Sequence, residues 1–350
     1  MKKTLSLLFL SSLIIIIAAL SACGEGSGTP TQTEVAQTGD ATIKTPDTEP
    51  ETVREPETEP ETEKVAKVIL LAGQSNAAGS TFRNYLETRF TEEYSRERLA
   101  KADAGYQNVL IRYSVNPLDP EQGPKNENED FEPVTFGTGN KSEDYDPEWG
   151  PSFGPEIGIA EYLSETYPDE TFYIIKCATS GTSMNSRWNP DGLSEERNLT
   201  AHLLSFVESA LVSLEDRGLK PEIVTFCWMQ GETDAAMKYD YSDYIDQFNK
   251  LIDMVAALGR VPEEGMTVAD AGIVLYRPYA KKINELKKAN ADTSDFRFFI
   301  DTTDLDIKRY SDEFAGHFQC YPMIVLGRRF GACVAASLEH RQPEWPAFPG

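Results

Sequence analysis

Histidine and cysteine are scarce in this chain. Of its 350 residues, three are histidine and five are cysteine, and no two cysteines form a C-x-x-C pair. The sequence therefore offers no motif for a zinc or thiol redox centre. Four cysteines follow residue 23. If the protein is exported, one disulfide between two of them is an alternative to free thiols. Cys177 and Cys227 lie in apolar runs, however, and this placement favours buried free thiols.

Basic residues are also few relative to acidic ones. The chain has 33 Lys and Arg against 57 Asp and Glu, which gives a formal net charge of −24. A surface of this sign repels phosphate groups, so the composition argues against nucleic acid or an anionic membrane surface as a partner. Solubility outside the cell is sufficient reason for the acidity.

The first 23 residues have the pattern of an export signal. A basic start precedes an apolar run from Leu5 to Leu20, which is short for a membrane span. The run closes with Ser21-Ala22-Cys23, which resembles the lipobox of bacterial lipoproteins, where the cysteine thiol receives diacylglycerol. We expect lipid on Cys23 to anchor an exported protein to the outer face of a bacterial membrane or envelope. An ordinary secretory peptide with an incidental cysteine is the alternative.

Residues 24–64 contain no aromatic side chain and few aliphatic ones. They are mostly Gly, Ser, Thr, Pro and Glu, and they end in a Pro-Glu-Thr-Glu repeat. Such a segment cannot bury enough apolar surface to offset its ordering entropy, so we expect a disordered, extended tether. Residues 65–350 remain, roughly 285 residues, which is enough for one large α/β domain.

Within residues 65–350, apolar strand-like runs alternate with amphipathic helix-like runs. The predicted strands are 66–72, 108–113, 171–177, 222–228, 267–275 and 297–300. The predicted helices are 155–167, 199–216, 241–258, 279–290 and 321–339. This alternation predicts an α/β fold with a parallel sheet covered on both faces. The polar segment 116–150 indicates an insertion at the rim of the sheet, or a plain loop.

Polar residues follow the predicted strand ends. The first strand stops at Gly73, and Ser75 follows between two amide side chains. A serine at the carboxyl end of a parallel strand, just before a helix, can act as a nucleophile. Polar and glycine residues also follow the strands that end at Cys177 and Trp228. Ligands of open parallel sheets bind at this edge, so these segments are expected to converge on one site.

A serine hydroxyl needs a neighbouring base, and histidine is the side chain suited to that role. His202 lies in a helical run, and His340 lies at a helix end, where a cation interacts favourably with the helix dipole. Elimination among the three histidines leaves His317, just before the last predicted helix, as the base.

These segments together resemble the SGNH (GDSL-like) hydrolase superfamily, and more closely its sialate O-acetylesterase and carbohydrate esterase family 6 group. The matching segments are, in chain order, Gly73-Gln-Ser-Asn76, Phe153-Gly-Pro-Glu156, Ser180-Gly-Thr-Ser183 with Trp188 following, Trp228-Met-Gln-Gly-Glu-Thr-Asp234, His317-Phe318 and Leu326-Gly-Arg-Arg-Phe330. The resemblance implies a flavodoxin-like three-layer α/β/α sandwich. It also implies hydrolysis of acetyl esters on sugars, without a metal or cofactor.

The resemblance assigns roles to individual residues. Ser75 is the expected nucleophile and His317 its base, as the residues by themselves also indicate. The expected donors to the oxyanion are the backbone N–H groups of Ser75 and Gly181 and the side-chain amide of Gln230. A glycine at position 181 lets the backbone approach the substrate.

The triad acid departs from the superfamily pattern. Many members carry an aspartate three residues before the histidine, and this chain has Phe314 there. The resemblance suggests Glu232 of the Gln-Gly-Glu segment as the acid instead, since a carboxylate at a strand end can orient the imidazole. Asp312 and Glu313 stay open as alternatives, because either needs a loop rearrangement.

The predicted substrate is O-acetylated sialic acid or an O-acetylated polysaccharide. Five side chains are candidates to line its pocket, with core packing as the alternative for the tryptophan: Glu156, Asn185, Arg187, Trp188 and Asp234. A rival hypothesis is a catalytically inactive, carbohydrate-binding surface lipoprotein on the same scaffold, because the aspartate before His317 is missing. A solute-binding lipoprotein has the same export features, but the sequence shows no second lobe.

Overall fold

The computed structural model describes residues 63–118, 121, 125–140, 147–237, 241, 243–275, 279–305 and 316–347. The predicted signal segment with Cys23, nearly all of the predicted tether, and the alternative acids Asp312 and Glu313 lie outside the described residues.

Strands and helices alternate through the described residues. The strands are β1 (Lys64–Gly73), β2 (Thr81–Phe82), β3 (Tyr106–Val115), β4 (Asn126–Glu127), β5 (Glu132–Val134), β6 (Ser152–Phe153), β7 (Phe172–Ala178), β8 (Leu219–Met229), β9 (Thr267–Ala271) and β10 (Arg297–Ile300). The helices are α1 (Ser75–Ala78), α2 (Arg83–Arg89), α3 (Arg96–Ala104), α4 (Glu156–Thr166), α5 (Leu199–Glu215), α6 (Glu232–Met237), α7 (Tyr244–Ala256), α8 (Ala280–Ala291) and α9 (Cys320–Leu338).

Six of these strands form a parallel sheet in the order β10-β9-β8-β1-β7-β3. β4 and β5 add to β3 in antiparallel register, and β2 pairs with β6 in a separate two-stranded ribbon. All seven residues of β7 are buried. Strands buried on both faces are what the continuous apolar runs of the sequence predict. The predicted α/β fold is therefore confirmed.

Helices cover both faces of the sheet. Side chains along a strand alternate between its two faces, and Asp270 follows Thr267 by three positions in β9. The two side chains therefore point to opposite faces of the sheet. The Thr267 hydroxyl donates to Ser337 of α9 at 2.9 Å, whereas Asp270 pairs with Lys287 of α8 at 2.8 Å. Helix α9 packs along α4 on one face, and α7 contacts α5 and α8 on the other. The result is the predicted three-layer sandwich.

The structure extends or shortens several predicted elements. β9 ends at Ala271, four residues before the predicted end. The segment 116–150 is an insertion at the rim, but it also supplies β4 and β5 to the sheet. The sequence pattern did not reveal α3, because Leu99 and Ala102 are its only buried residues. The four cysteines of this domain are free and buried, as predicted: Cys177, Cys227, Cys320 and Cys333.

Candidate active site

The order of the strands creates a crevice at the end of β1. The chain places β3 and β7 on one side of β1, and β8, β9 and β10 on the other. In register, Gly73 pairs with Ala178 of β7 and with Met229 of β8, so the carboxyl ends of three strands coincide. Open α/β sheets bind ligands at such a reversal of strand order. The segments that follow these strands therefore meet in one place.

Gly73 allows the sharp turn that delivers Ser75. Its φ is +142°, and a Cβ at this position would lie 2.0 Å from the carbonyl oxygen of Met229. Any other residue would clash with the backbone of β8. The turn makes Ser75 the first residue of α1, where a backbone N–H has no intrahelical acceptor. Ser75 is 6% exposed, at the lip of the sheet.

The two amide side chains beside Ser75 bind two different segments. The first, Gln74, is 3% exposed. Its Oε1 accepts from Gln230 Nε2 at 3.2 Å and from the backbone N–H of Thr233 at 3.2 Å. Gln74 thereby holds the turn between β8 and α6 against the serine turn.

The second amide, Asn76, is fully buried. Its Nδ2 donates to Glu232 Oε1 at 2.6 Å and to the carbonyl oxygen of Gly316 at 3.1 Å. Its Oδ1 accepts from the backbone N–H of Phe318 at 3.0 Å. The backbone on both sides of His317 is therefore bonded to the residue next to Ser75. The structure thus brings Glu232 and the histidine segment to the serine turn.

Glu232 is a buried carboxylate, and one of its two oxygens accepts a hydrogen bond. It is 9% exposed, and Oε1 accepts from Asn76, whereas the buried Oε2 has no hydrogen-bond partner among the described residues. Burial raises the pKa of Glu232, while the hydrogen bond from Asn76 and the charge of Lys287 lower it. The buried Nδ1 of His317 is the atom that a triad acid would contact.

A buried ion pair lies behind Glu232. Lys287 of α8 is fully buried, 2.8 Å from Asp270, and it donates to the carbonyl oxygen of Ala271 at 2.6 Å. Burial raises the pKa of Asp270 to about 6, against the lowering effect of Lys287. The ammonium of Lys287 thus provides a positive charge that favours ionised carboxylates on this side of the site.

Gly181 lies at the end of β7, in a turn held by an amide network. It is exposed, with φ +68°, so its N–H belongs to an accessible turn. Asn116 Oδ1 accepts from the N–H of Ser180 at 3.2 Å, and Asn116 Nδ2 donates to Asn140 Oδ1 at 2.6 Å. Asn140 Nδ2 in turn donates to Ser180 Oγ at 3.1 Å. The sequence analysis did not identify Asn116 or Asn140 as site residues. Their position in the polar insertion 116–150 was the only feature that pointed to the site.

Gln230 is fully buried within an internal network. Its Nε2 donates to the carbonyl oxygen of Thr182 at 3.0 Å, to Asp234 at 2.5 Å and to Gln74. Its Oε1 accepts from the Tyr244 hydroxyl at 3.0 Å. The predicted role of Gln230 at the oxyanion requires that one of these bonds be exchanged when substrate binds, and it stays a prediction.

Three of the five predicted pocket residues are core residues. Glu156 is fully buried against Lys176 at 2.8 Å, and Trp188 packs edge-to-face on Trp228, with ring centroids 5.1 Å apart. Asp234 is also fully buried, and it accepts from the N–H of Met184 at 3.2 Å. The pocket assignment of Glu156 and Asp234 was wrong, and the core alternative holds for Trp188. Asn185 and Arg187 are half-buried, and their pocket role stays a prediction.

The other two histidines lie elsewhere. His202 of α5 is 3.2 Å from the hydroxyl of Ser114 on β3, and burial lowers its pKa. His340 lines a cavity of about 700 Å³ at the opposite end of the strands, with Lys67 and Arg260. These two cations pair with Glu170 and Glu215. Elimination therefore selected the histidine whose flanking backbone is bonded to the serine turn.

The described residues contain neither a cluster of metal-ligating side chains nor a membrane-spanning helix. Nowhere in this part of the chain do three or more His, Cys, Asp or Glu side chains lie together so that they could hold a metal ion. In the same residues, no helix is both long enough and apolar enough to cross a membrane.

Comparison with known proteins identifies one family and several similar folds. The family described as carbohydrate esterase, sialic acid-specific acetylesterase, matches residues 65–336. The crystal structure of NanS superposes with a TM-score of 0.55 at 17% identity, covering 80% of this chain and 99% of that one. A protein from Arabidopsis thaliana superposes with a TM-score of 0.51 at 19% identity, covering 79% and 98%. No curated protein sequence matches this chain.

A carbohydrate acetylesterase from Xanthomonas citri has a TM-score of 0.48 at 13% identity, covering 79% of this chain and 57% of that one. The likeness to NanS and to the Arabidopsis protein shows the fold.

Proposed function

Because this chain belongs to the sialic acid-specific acetylesterase family of carbohydrate esterases, we propose that it removes O-acetyl groups from sialic acid or a polysaccharide through an acetyl-enzyme on Ser75. The observation that carries the proposal is the set of Asn76 hydrogen bonds, which tie the backbone around His317 to the serine turn. A weak nucleophile and its base can react only when they are held together. The inactive lipoprotein is not favoured, since these residues are present and linked.

In the proposed first step, Ser75 Oγ attacks the acetyl carbonyl carbon and its proton passes to His317. The carbonyl oxygen becomes negative, and the N–H groups of Ser75 and Gly181, with Gln230, stabilise it. The C–O bond to the sugar then breaks, and the sugar oxygen takes the proton from the imidazolium. Water deprotonated by His317 attacks the acetyl-enzyme, and acetate leaves as Ser75 regains its proton.

Glu232 is the proposed triad acid. Its Oε2 is buried and has no partner among the described residues. Burial raises the pKa of Glu232, and the Asn76 hydrogen bond and the charge of Lys287 oppose that rise. A carboxylate on the far nitrogen would fix the tautomer of His317 and stabilise the imidazolium. Asp312 and Glu313 lie outside the described residues and stay as alternatives.

Acetate release tests the substrate class. The whole chain should release acetate from O-acetylated sialic acids on mucin or from acetylated xylan, and Ser75→Ala should not. If both fail while nitrophenyl acetate reacts, the proposed carbohydrate classes are wrong. If nitrophenyl acetate is also inert, the inactive carbohydrate-binding alternative replaces the esterase.

We also propose that the protein is exported and anchored by lipid on Cys23, on the evidence of residues 1–23 alone. The apolar run and the small residues before Cys23 support this proposal. Mass spectrometry of the mature N-terminus should find a diacylglycerol-modified cysteine, and Cys23→Ser should release the protein from the membrane fraction. An unmodified N-terminus elsewhere in the chain would contradict it.

A further inference from the structure

We propose that Asn76 is the positioning residue of the active-site histidine, and that Glu232 acts in the reaction partly by holding Asn76. The inference rests on the proposed function, because it explains how Ser75 and His317 are kept in register. Asn76 is an immediate neighbour of Ser75 in sequence, but Gly316 and Phe318 are more than 200 residues away. The side-chain amide of Asn76 bridges that separation.

The side-chain amide of Asn76 forms hydrogen bonds with both peptide groups that flank the Cα atom of His317. The carbonyl of Gly316 belongs to the peptide before His317, and it accepts from Asn76 Nδ2 at 3.1 Å. The N–H of Phe318 belongs to the peptide after His317, and it donates to Asn76 Oδ1 at 3.0 Å. With both peptide planes held, the φ and ψ of His317 are fixed, and so is the direction of its Cβ. These two bonds act on the backbone of His317 and not on its side-chain torsions.

An asparagine suits this role because its side chain carries donors and an acceptor on one plane. The second hydrogen of Nδ2 goes to Glu232 Oε1 at 2.6 Å, a charge-assisted bond when the carboxylate is ionised. Glu232 therefore fixes the amide orientation that presents a donor to Gly316 and an acceptor to Phe318. An aspartate here would lose both donors and face a second carboxylate.

The backbone before His317 explains why these hydrogen bonds from Asn76 are needed. Gly316 has φ +103°, a conformation that only glycine adopts readily. Glycine has the widest conformational freedom, so the chain at this point does not fix the histidine by itself. The buried, fully bonded Asn76 supplies the constraint.

A double-mutant cycle tests the inference on nitrophenyl acetate. Asn76→Ala should lower kcat by about 100-fold with KM changed little, because misplacement of a catalytic group by about 1 Å costs on this order. In the His317→Ala background, Asn76→Ala should cause no further loss, because the residue acts through the imidazole. Equal losses in both backgrounds, or an unchanged kcat in the single variant, would overturn the inference.

Hydrogen exchange gives a test that does not need activity. The amide of Phe318 should be protected in the wild-type chain, and its exchange should rise at least about tenfold in Asn76→Ala if the bond to Oδ1 is lost. If the alanine variant does not fold, Asn76→Asp keeps the volume but removes the donors, and its kcat is measured instead. Unchanged exchange of the Phe318 amide in a folded alanine variant would contradict the proposal that Asn76 positions His317. An inactive wild-type chain would contradict only the proposed function.

Glu232→Gln separates the two roles of Glu232. Glutamine keeps an acceptor for Asn76 but carries no charge, so the exchange of Phe318 should stay as in the wild-type chain. If Glu232 is also the triad acid, kcat should fall by about 10⁴-fold, as when a triad carboxylate becomes an amide. A kcat within about tenfold of wild type, with protected Phe318, would leave holding Asn76 as its only role.

Discussion

Replacing Ser75 with alanine is expected to lower kcat for acetyl ester hydrolysis by about 10⁶-fold, the loss seen when a hydrolase loses its nucleophilic serine. The variant keeps the turn at Gly73, the Asn76 hydrogen bonds and the oxyanion donors, but no atom remains to form the acetyl-enzyme. Such a factor corresponds to about 8 kcal/mol of transition-state stabilisation. Steady-state kinetics with nitrophenyl acetate, together with acetyl-enzyme trapping by mass spectrometry, measures it.

The matched control is Ser114→Ala. Ser114 is fully buried near the end of β3, and its hydroxyl lies 3.2 Å from Nε2 of His202, so the chain contains a second serine–histidine contact that involves neither Ser75 nor His317. Its removal should leave kcat within about twofold, because surface and structural hydrogen bonds contribute to stability and not to this chemistry. If Ser75→Ala kept more than about 1% of wild-type kcat, the nucleophile would have to be another residue.

The second large effect concerns Lys176. Its ammonium lies 2.8 Å from Glu156, donates to the carbonyl oxygen of Thr138 at 3.0 Å, and is fully buried with its partner. Burial lowers the pKa of Lys176, and the neighbouring charge of Glu156 opposes that shift. Lys176→Ala leaves Glu156 charged and buried, which is expected to reduce the free energy of unfolding by about 3–5 kcal/mol. Urea denaturation followed by fluorescence measures this change.

Two controls make the result interpretable. Lys250 pairs with Asp191 at 2.7 Å, nearly the same separation, but on the exposed surface. Lys250→Ala should not measurably change the urea midpoint, because exposed pairs are screened by water. The double variant Lys176→Met with Glu156→Leu removes both charges and should recover most of the lost stability. A small effect of Lys176→Ala alone would mean that Glu156 becomes protonated or solvated without difficulty.

The Lys176 pair has a consequence at the site as well. Glu156 also accepts from the Thr138 hydroxyl at 2.6 Å, and Thr138 lies two residues before Asn140. Asn140 bonds Ser180, the neighbour of Gly181. The buried pair therefore anchors the rim insertion that braces the proposed oxyanion turn.

The sequence by itself determined the alternation of strands and helices, the turn at Gly73, and the selection of Ser75 and His317 as candidates. These features depend on local pattern or on elimination. Apolar β-branched runs predict buried strands whatever their partners are, and only three histidines were available. The family resemblance extended this to Glu232, through the Gln-Gly-Glu segment.

Only the tertiary structure decided which polar side chains meet. Asn76 and Glu232 are separated by 156 positions, and the strand order places the turn after β8 beside the turn after β1. The tertiary structure also showed that Glu156 and Trp188 belong to the core. The physical reason is that periodicity records which side of an element faces the interior, whereas a polar partner depends on strand order and register, which are set by contacts between distant segments.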